Sequence, residues 1–174
     1  MASPYSSQSA AEHRRQGPAS VRCAVVTVSD TRTLENDTGG QAIVELLHAA
    51  GHQVVERAIV PDDSKPVQDL ILALGRQKDI DAILITGGTG IAPRDHTADA
   101  IDEVLSKPLP GYGELFRMLS YQEIGPAAML SRALGGLMGE TVVLTMPGSP
   151  AAVRLAIQRI ILPELGHLVA LAQS

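Results

Sequence analysis

The feature that most constrains this chain is an aliphatic run, Ile83-Leu84-Ile85-Thr86, which breaks at once into Gly87-Gly88-Thr89-Gly90 and then, after Ile91-Ala92-Pro93, into Arg94-Asp95. A continuous β-branched run bounded in this way reads as a strand buried on both faces. Gly87, Gly88 and Gly90 at its exit mark backbone positions without Cβ, needed either for positive φ or for close approach to a ligand. N–H groups there are free to meet an anion. Arg94 offers a fork of donors suited to phosphate, and Asp95 a carboxylate suited to a metal ion. The same residues also compose a tight turn with a surface ion pair, and the loop alone does not choose between the two readings.

The same punctuation recurs along the chain. Val21–Val28 is apolar and ends in Ser29-Asp30, His52–Val60 ends in Pro61-Asp62-Asp63, and Thr141–Met146 ends in Pro147-Gly148-Ser149-Pro150. Helical faces fall between these runs. Ile43, Leu46, Leu47 and Ala50 precede a stop at Gly51, and Val67, Leu70, Ile71 and Leu74 follow Asp63 or Ser64 as N-cap with Pro66 in the first turn. Thr97 is expected to cap a helix carrying Ile101, Val104 and Leu105 up to Pro108. Pro110 to Leu134 departs from the rhythm and reads as an inserted helical pair whose face is Leu115, Met118 and Leu119. Gly135–Met138 and Thr141–Met146 form a hairpin about Gly139-Glu140. A last helix runs from Pro150 to about Ile161 and restarts at Pro163 toward Leu171. The fold class expected is α/β: three layers, α/β/α, with a mostly parallel central sheet and one antiparallel edge strand. A single domain over residues 21–174 is expected to follow a serine-rich, disordered tail at 1–20.

Composition narrows the function. Hydrophobic residues make up 45% but only four are aromatic, so the core must be aliphatic, which suits helices on a buried sheet. Lys plus Arg number 14 against 19 Asp plus Glu, giving −5 with no basic run, so no nucleic-acid partner is expected. The apolar stretches read as too short to span a bilayer and no secretory signal is expected, so no membrane partner is expected and the cytoplasm is the simplest location. Cys23 reads as a small buried hydrophobe, and the histidines lack zinc-ligand spacing.

In open α/β sheets ligands bind beyond the carboxyl ends of the parallel strands, where crossover helices begin with free N–H groups. Parallel strands would gather Ser29-Asp30, Asp62-Asp63, the glycine loop and Pro147-Gly148-Ser149 on one edge. Two glycine loops would then face two acidic turns, a layout for a phosphate ester and a divalent metal. Each part also has a local explanation: Asp62 or Asp63 could cap a helix, Ser149 likewise, and Asp30 or Asp37 could serve a turn. A Walker A loop lacks its Lys-Ser or Lys-Thr pair here, a dinucleotide fingerprint lacks its third glycine, and no hydrolase elbow is present.

Taken together, Val28-Ser29-Asp30, Thr86-Gly87-Gly88-Thr89-Gly90 with Arg94-Asp95 and Thr97, Gly111-Tyr112-Gly113-Glu114, Ser131-Arg132-Ala133 and Pro147-Gly148-Ser149-Pro150 resemble the MoaB/Mog family of molybdenum cofactor biosynthesis proteins. Gly113 to Ser120 is more similar to the MoaB branch. The resemblance implies a domain that binds molybdopterin and, in catalytic members, adenylylates its terminal phosphate with ATP and Mg2+, releasing pyrophosphate. It implies that Asp62 and Asp95 are the essential acidic residues and metal ligands. Gly87, Gly88, Thr89, Gly90 and Ser149 match the pterin-phosphate loops, with Ser29, Asp30, Arg94, Thr97, Pro147 and Gly148 as further substrate-binding positions. It also implies a homo-oligomer, trimer or hexamer, with the insert near Gly111 to Ser131 as interface, and a downstream molybdate-inserting protein as partner. Where the family often has Val-Thr-Pro-Glu, His96-Thr97-Ala98-Asp99 stands here, which loses a helix-start proline but keeps an acid. Some family members have lost catalysis, so a non-catalytic molybdopterin carrier is the alternative, and a phosphate-binding regulator a third.

Overall fold

The computed structural model describes residues 17–174, and the tail expected to lack structure lies mostly outside the described residues. The strands are β1 (Arg22–Val28), β2 (Gln53–Val60), β3 (Ala82–Thr86), β4 (Lys107–Pro108), β5 (Gly135–Met138) and β6 (Thr141–Met146). The helices are α1 (Thr38–Ala49), α2 (Ser64–Leu74), α3 (Thr97–Asp102), α4 (Pro110–Ile124) and a long C-terminal α5 (Pro150–Ala172). All six strands belong to one sheet in the order β2-β1-β3-β6-β5-β4. β2, β1, β3 and β6 are mutually parallel, while β5 runs antiparallel to β6. The fold is therefore the α/β class expected. The antiparallel strand is not quite the edge, however, because Lys107–Pro108 adds a short β4 beyond it. Two residues are too few to show a period, and a proline is tolerated in a sheet only at such an edge.

Strand side chains alternate between two cores, as a period of two requires. Cys23, Val25, Leu84 and Leu144 face α1, α4 and α5 through Ile43, Leu47, Tyr112, Phe116, Ile157 and Leu165. Ala24, Val26, Ile83, Ile85 and Val143 face α2 and α3 through Val67, Ile71, Leu74 and Ile101. Cys23 is a fully buried member of the first core, and that burial pushes its thiol up to about 12. Both faces of the sheet are covered, which explains why its central strands read as unbroken apolar runs.

Several expectations need correction. In α4 the buried side is Tyr112, Gly113, Phe116 and Ser120, whereas Leu115 and Met118 are 48% and 52% exposed. Both sides of this helix are apolar, so periodicity could not choose between them. Tertiary contacts do choose: the Tyr112 hydroxyl donates to the Thr145 carbonyl at 2.9 Å, and a Cβ on Gly113 would lie 2.5 Å from the Ala133 carbonyl oxygen. The second member of the helical pair is a 3-10 turn, Gly125–Leu130.

The helix after the glycine loop is also shorter than expected. It ends at Asp102, and Thr97 lies within it; the N-cap position is His96, whose side chain makes no capping hydrogen bond.

The C-terminal helix, finally, does not break at Pro163. A π-helical turn, Ile157–Ile161, precedes the proline and lets the helix continue. Proline lacks an N–H and clashes with the carbonyl four residues back, and a widened turn accommodates both defects. The resulting 23-residue helix, with a mean hydropathy of 1.4 over its most apolar 18-residue stretch, is long and apolar enough to cross a membrane, which corrects the expectation that every apolar stretch is too short. Its Val153, Ala156, Ile157, Ile161, Leu165 and Val169 are nonetheless buried on the sheet.

Phe116 anchors α4, so Phe116→Ala is expected to lower stability by about 3–5 kcal/mol, the usual cost of a large aromatic cavity. Urea unfolding followed by circular dichroism measures it.

Candidate active site

Parallel register brings the strand ends level. Thr27 lies opposite Thr86, Thr86 opposite Met146, and Val28 opposite Val60. The exits remain tied for one more residue, with Gly87 N–H donating to Met146 O at 3.0 Å and Ser29 N–H to Val60 O at 2.9 Å. Ser29-Asp30, Asp62, the glycine loop and Pro147-Gly148-Ser149 therefore leave the sheet along one edge. Gly87 and Gly88 have φ of 103° and 62°, a region that side chains rarely adopt. A Cβ on Gly87 would also strike the Val28 carbonyl, and one on Gly88 would strike Thr97 Oγ1 and the Asp62 carboxylate. Glycine is thus required here by both torsion and space.

The acidic side is now divided by role. Asp63 caps α2, its carboxylate accepting from Lys65 N–H at 3.4 Å, which leaves Asp62 free of that duty. Asp62 Oδ1 instead accepts from His96 N–H at 3.1 Å, and the Asp62 N–H donates to Asp30 Oδ1 at 3.0 Å. Burial raises the Asp62 carboxyl above its ordinary range, and the negative charges of Asp95 and Asp30 push the same way against the His96 hydrogen bond. Asp95 Oδ2 accepts from Ala92 N–H at 2.7 Å, closing a turn whose start, Gly90, would meet that oxygen at 2.6 Å if it carried a Cβ. Thr97 lies beneath Gly88, fully buried, donating its N–H to Gly88 O at 3.2 Å while its hydroxyl has no partner.

A cleft of about 260 Å³ also opens between the strand ends and the start of a helix, lined by Ser29, Arg32, Asp37, Thr38, Gly39, Gly87 and Gly148. The amino end of α1 opens into it, with Asp37 as N-cap accepting from Gly40 N–H at 2.9 Å. Asp37 is buried yet fully paired, taking 2.7 Å and 3.2 Å bonds from Thr27 Oγ1 and Arg57 Nη2. The Ser29 hydroxyl accepts from the N–H groups of Thr31 and Arg32, both at 3.2 Å, and Ser149 caps α5 through Ala152 N–H at 3.2 Å. A second recess, about 380 Å³, is lined by Ile91, Asp95, His96, Asp99 and Arg132. Arg94 is exposed and makes no hydrogen bond or ion pair among the described residues.

The donor set fits a magnesium ion that is shared with substrate. Among the described residues no three ligand-type side chains gather closely enough to hold a metal alone. Asp62 Oδ2 and Asp95 Oδ1 accept no hydrogen bond from the described residues. Magnesium characteristically takes one or two carboxylates and completes its shell with water and substrate phosphates.

Residues 24–167 match the protein family described as "Probable molybdopterin binding domain". The chain belongs to that family. It is 53% identical over 161 residues to molybdenum cofactor biosynthesis protein B of Bacillus cereus, covering 92% of this chain and 95% of that one. A crystal structure of a molybdenum cofactor biosynthesis protein B superposes with a TM-score of 0.88 at 52% identity, covering 91% of this chain and 99% of the other. A structure of MogA superposes at 0.80 with 28% identity, covering 87% and 99%. The similarity to the MoaB branch expected from Gly113–Ser120 is thus borne out.

Two features of this family member escaped sequence reasoning. Arg32 and the α1 terminus were hidden because the loop after Asp30 carries no pattern beyond turn chemistry. Arg132 was visible only as part of a motif; its partners, residues 89–99, are distant in sequence. Because the Asp62 carboxyl titrates above its ordinary value in the folded state, the native protein binds more protons than the unfolded chain between the two values, and stability falls as pH rises through that window. Asp62→Asn is therefore expected to raise the melting temperature at pH 7, with the gain shrinking toward pH 4. Thermal scans of both proteins across that range check the sign.

Proposed function

We propose that the protein acts in molybdenum cofactor biosynthesis as a molybdopterin adenylyltransferase, joining AMP from ATP to the terminal phosphate of molybdopterin. Membership of the family and the names of its relatives support the pathway. The observation that carries the chemistry is that Asp62 and Asp95, 33 positions apart by their numbers, both stand against one glycine loop, Asp62 beside Gly88 and Asp95 beside Gly90. In this reading an oxygen of the molybdopterin phosphate attacks the α-phosphorus of ATP, a P–O bond forms, and the bond to pyrophosphate breaks. The nucleophile is already deprotonated near neutral pH, so no general base is needed. The protein's task is alignment and neutralisation of charge.

The N–H groups of Gly87 to Gly90 and of the α1 terminus, with Arg32, would hold phosphate oxygens, as helix starts and glycine turns do. Ser29 and Gly148 line the same cleft, with Asp30, Pro147 and Ser149 as their neighbours in the chain, and Thr97 supports Gly88 from below. Arg94, facing solvent, is free to meet an incoming phosphate. Asp62 and Asp95 would hold magnesium through their remaining oxygens. When bound, that ion supplies charge neutralisation for the phosphates in flight. The crowding of negative charge around Asp62 supports a cation there, since the carboxylates otherwise repel one another.

The rival reading, a molybdopterin carrier without catalysis, draws on the lack, among the described residues, of a third protein ligand beside the two carboxylates. Incubating the protein with molybdopterin, ATP and magnesium, followed by mass spectrometry, separates them: an AMP adduct is expected, and tight pterin binding without it would favour the carrier. Asp62→Ala and Asp95→Ala are each expected to lower adduct formation by about 10²-fold or more while retaining pterin binding. Normal turnover in both variants would overturn the assignment of the acids.

Assembly completes the proposal. Leu115, Met118, Tyr121 and Ile124 expose an apolar side of α4 that suits a symmetric trimer or hexamer in the cytoplasm, with release of product to a downstream molybdate-inserting protein. Met118→Glu is expected to shift sedimentation toward the monomer.

A further inference from the structure

Arg132 departs from the 3-10 turn after α4 and points across the molecule to the glycine loop. Its own N–H donates to Thr89 O at 2.8 Å, and its Nε donates to Gly90 O at 2.8 Å. Nη2 donates to the Asp95 carbonyl at 2.5 Å, and Nη1 to both oxygens of Asp99 at 2.8 and 2.9 Å. Gly90 and Asp95 are the two ends of the loop whose middle, Ile91 to Arg94, is exposed. One planar guanidinium therefore ties both ends of the loop together while Asp99 fixes the plane. The segment that carries it is itself braced, because Arg117 of α4 donates to the Ala133 and Ser131 carbonyls at 3.0 and 3.4 Å.

We infer that Arg132 is a positioning residue: by clamping the Gly90 and Asp95 carbonyls it sets where the Asp95 carboxylate stands relative to Asp62. The inference rests on the adenylyltransferase reading for its effect on turnover, but not for its effect on the loop. Arg94, next to Asp95 in the chain, cannot do this, since it contacts neither end of the loop. Lysine is a poor substitute because a single ammonium cannot reach three acceptors spread along a fork. Asp99 has a part of its own in the clamp: it holds the guanidinium in plane rather than facing the ligand.

The test uses the full chain and the variants Arg132→Gln, Arg132→Lys and Asp99→Asn. Amide hydrogen exchange followed by NMR is read at Ala92 and Asp95, whose N–H groups are tied within the loop to the Asp95 carboxylate and the Ala92 carbonyl. Arg132→Gln is expected to speed exchange at these amides at least tenfold while the β1 and β3 amides are unchanged, with Arg132→Lys and Asp99→Asn in between. In turnover, Arg132→Gln is expected to lower kcat by about 10²-fold, a size reached when a reacting group is displaced by about 1 Å. KM for molybdopterin should change little. In an Asp95→Ala background the same substitution should cost far less, because its effect is exerted through Asp95.

Unchanged exchange at Ala92 and Asp95, or an equal loss of kcat with and without Asp95, would overturn the inference. If Arg132→Gln does not fold, Asp99→Asn and Arg132→Lys decide the same question. Should the wild-type protein form no adduct, the adenylyltransferase reading fails by itself, and the exchange measurement alone decides the role of Arg132.

Discussion

The parallel pairing of β1, β3 and β6 is the constraint on which the rest depends. Because Thr27, Thr86 and Met146 share one register, three chain segments must leave the sheet at one height and turn into helices on either face. Two consequences follow from geometry alone. Backbone N–H groups at the turns are left without intrahelical partners, and the turns approach so closely that Gly87 and Gly88 have no room for side chains. The crowded, donor-rich edge is thus a by-product of how such a sheet is closed, and the proposed phosphate site makes use of it.

Concentrating carboxylates at that edge has a cost in stability. Asp62 is drawn partly out of water beside Asp30 and Asp95, and among the described residues His96 alone compensates, through its N–H. Elsewhere the molecule treats buried acids differently. Asp37 is surrounded by Thr27, Gly40 and Arg57, and Asp81 is held by Arg22 and Gln173, an arrangement in which the Arg22 hydrogen bond draws the Asp81 carboxyl below its ordinary range. The contrast separates acids that are fully paired within the molecule from acids that keep an oxygen without a partner among the described residues, the pattern expected of the proposed site.

Much of this was legible in the chain. The ends of β1, β2 and β3 fell within a residue of expectation because a buried parallel strand is a solid apolar run, and the turns that end it use residues with few other reasons to cluster. The side of α4 that packs was not legible, since Leu115 and Phe116 are equally apolar and only the space beside Gly113 and Ala133 distinguishes them. Pro163 misled for a related reason: a proline ends a helix unless the preceding turn widens, and the widening shows no local signature. Lys107–Pro108 was too short to leave one.

At the site the division is similar. That Gly87, Gly88, Asp62 and Asp95 would share an edge was expected on the condition that the strands run parallel, since parallel strands end together. Which acid caps a helix was left open between Asp62 and Asp63, and packing resolved it in favour of Asp63. Arg94 stood beside Asp95 in the chain, yet the loop turns it to solvent, and the cation that meets this loop comes from Arg132. The sequence by itself determined most of the elements and the chemical character of each turn, because those depend on local pattern and backbone torsion. Tertiary structure alone decided which charged groups face one another, because side-chain partnership depends on distances between segments that no local pattern records.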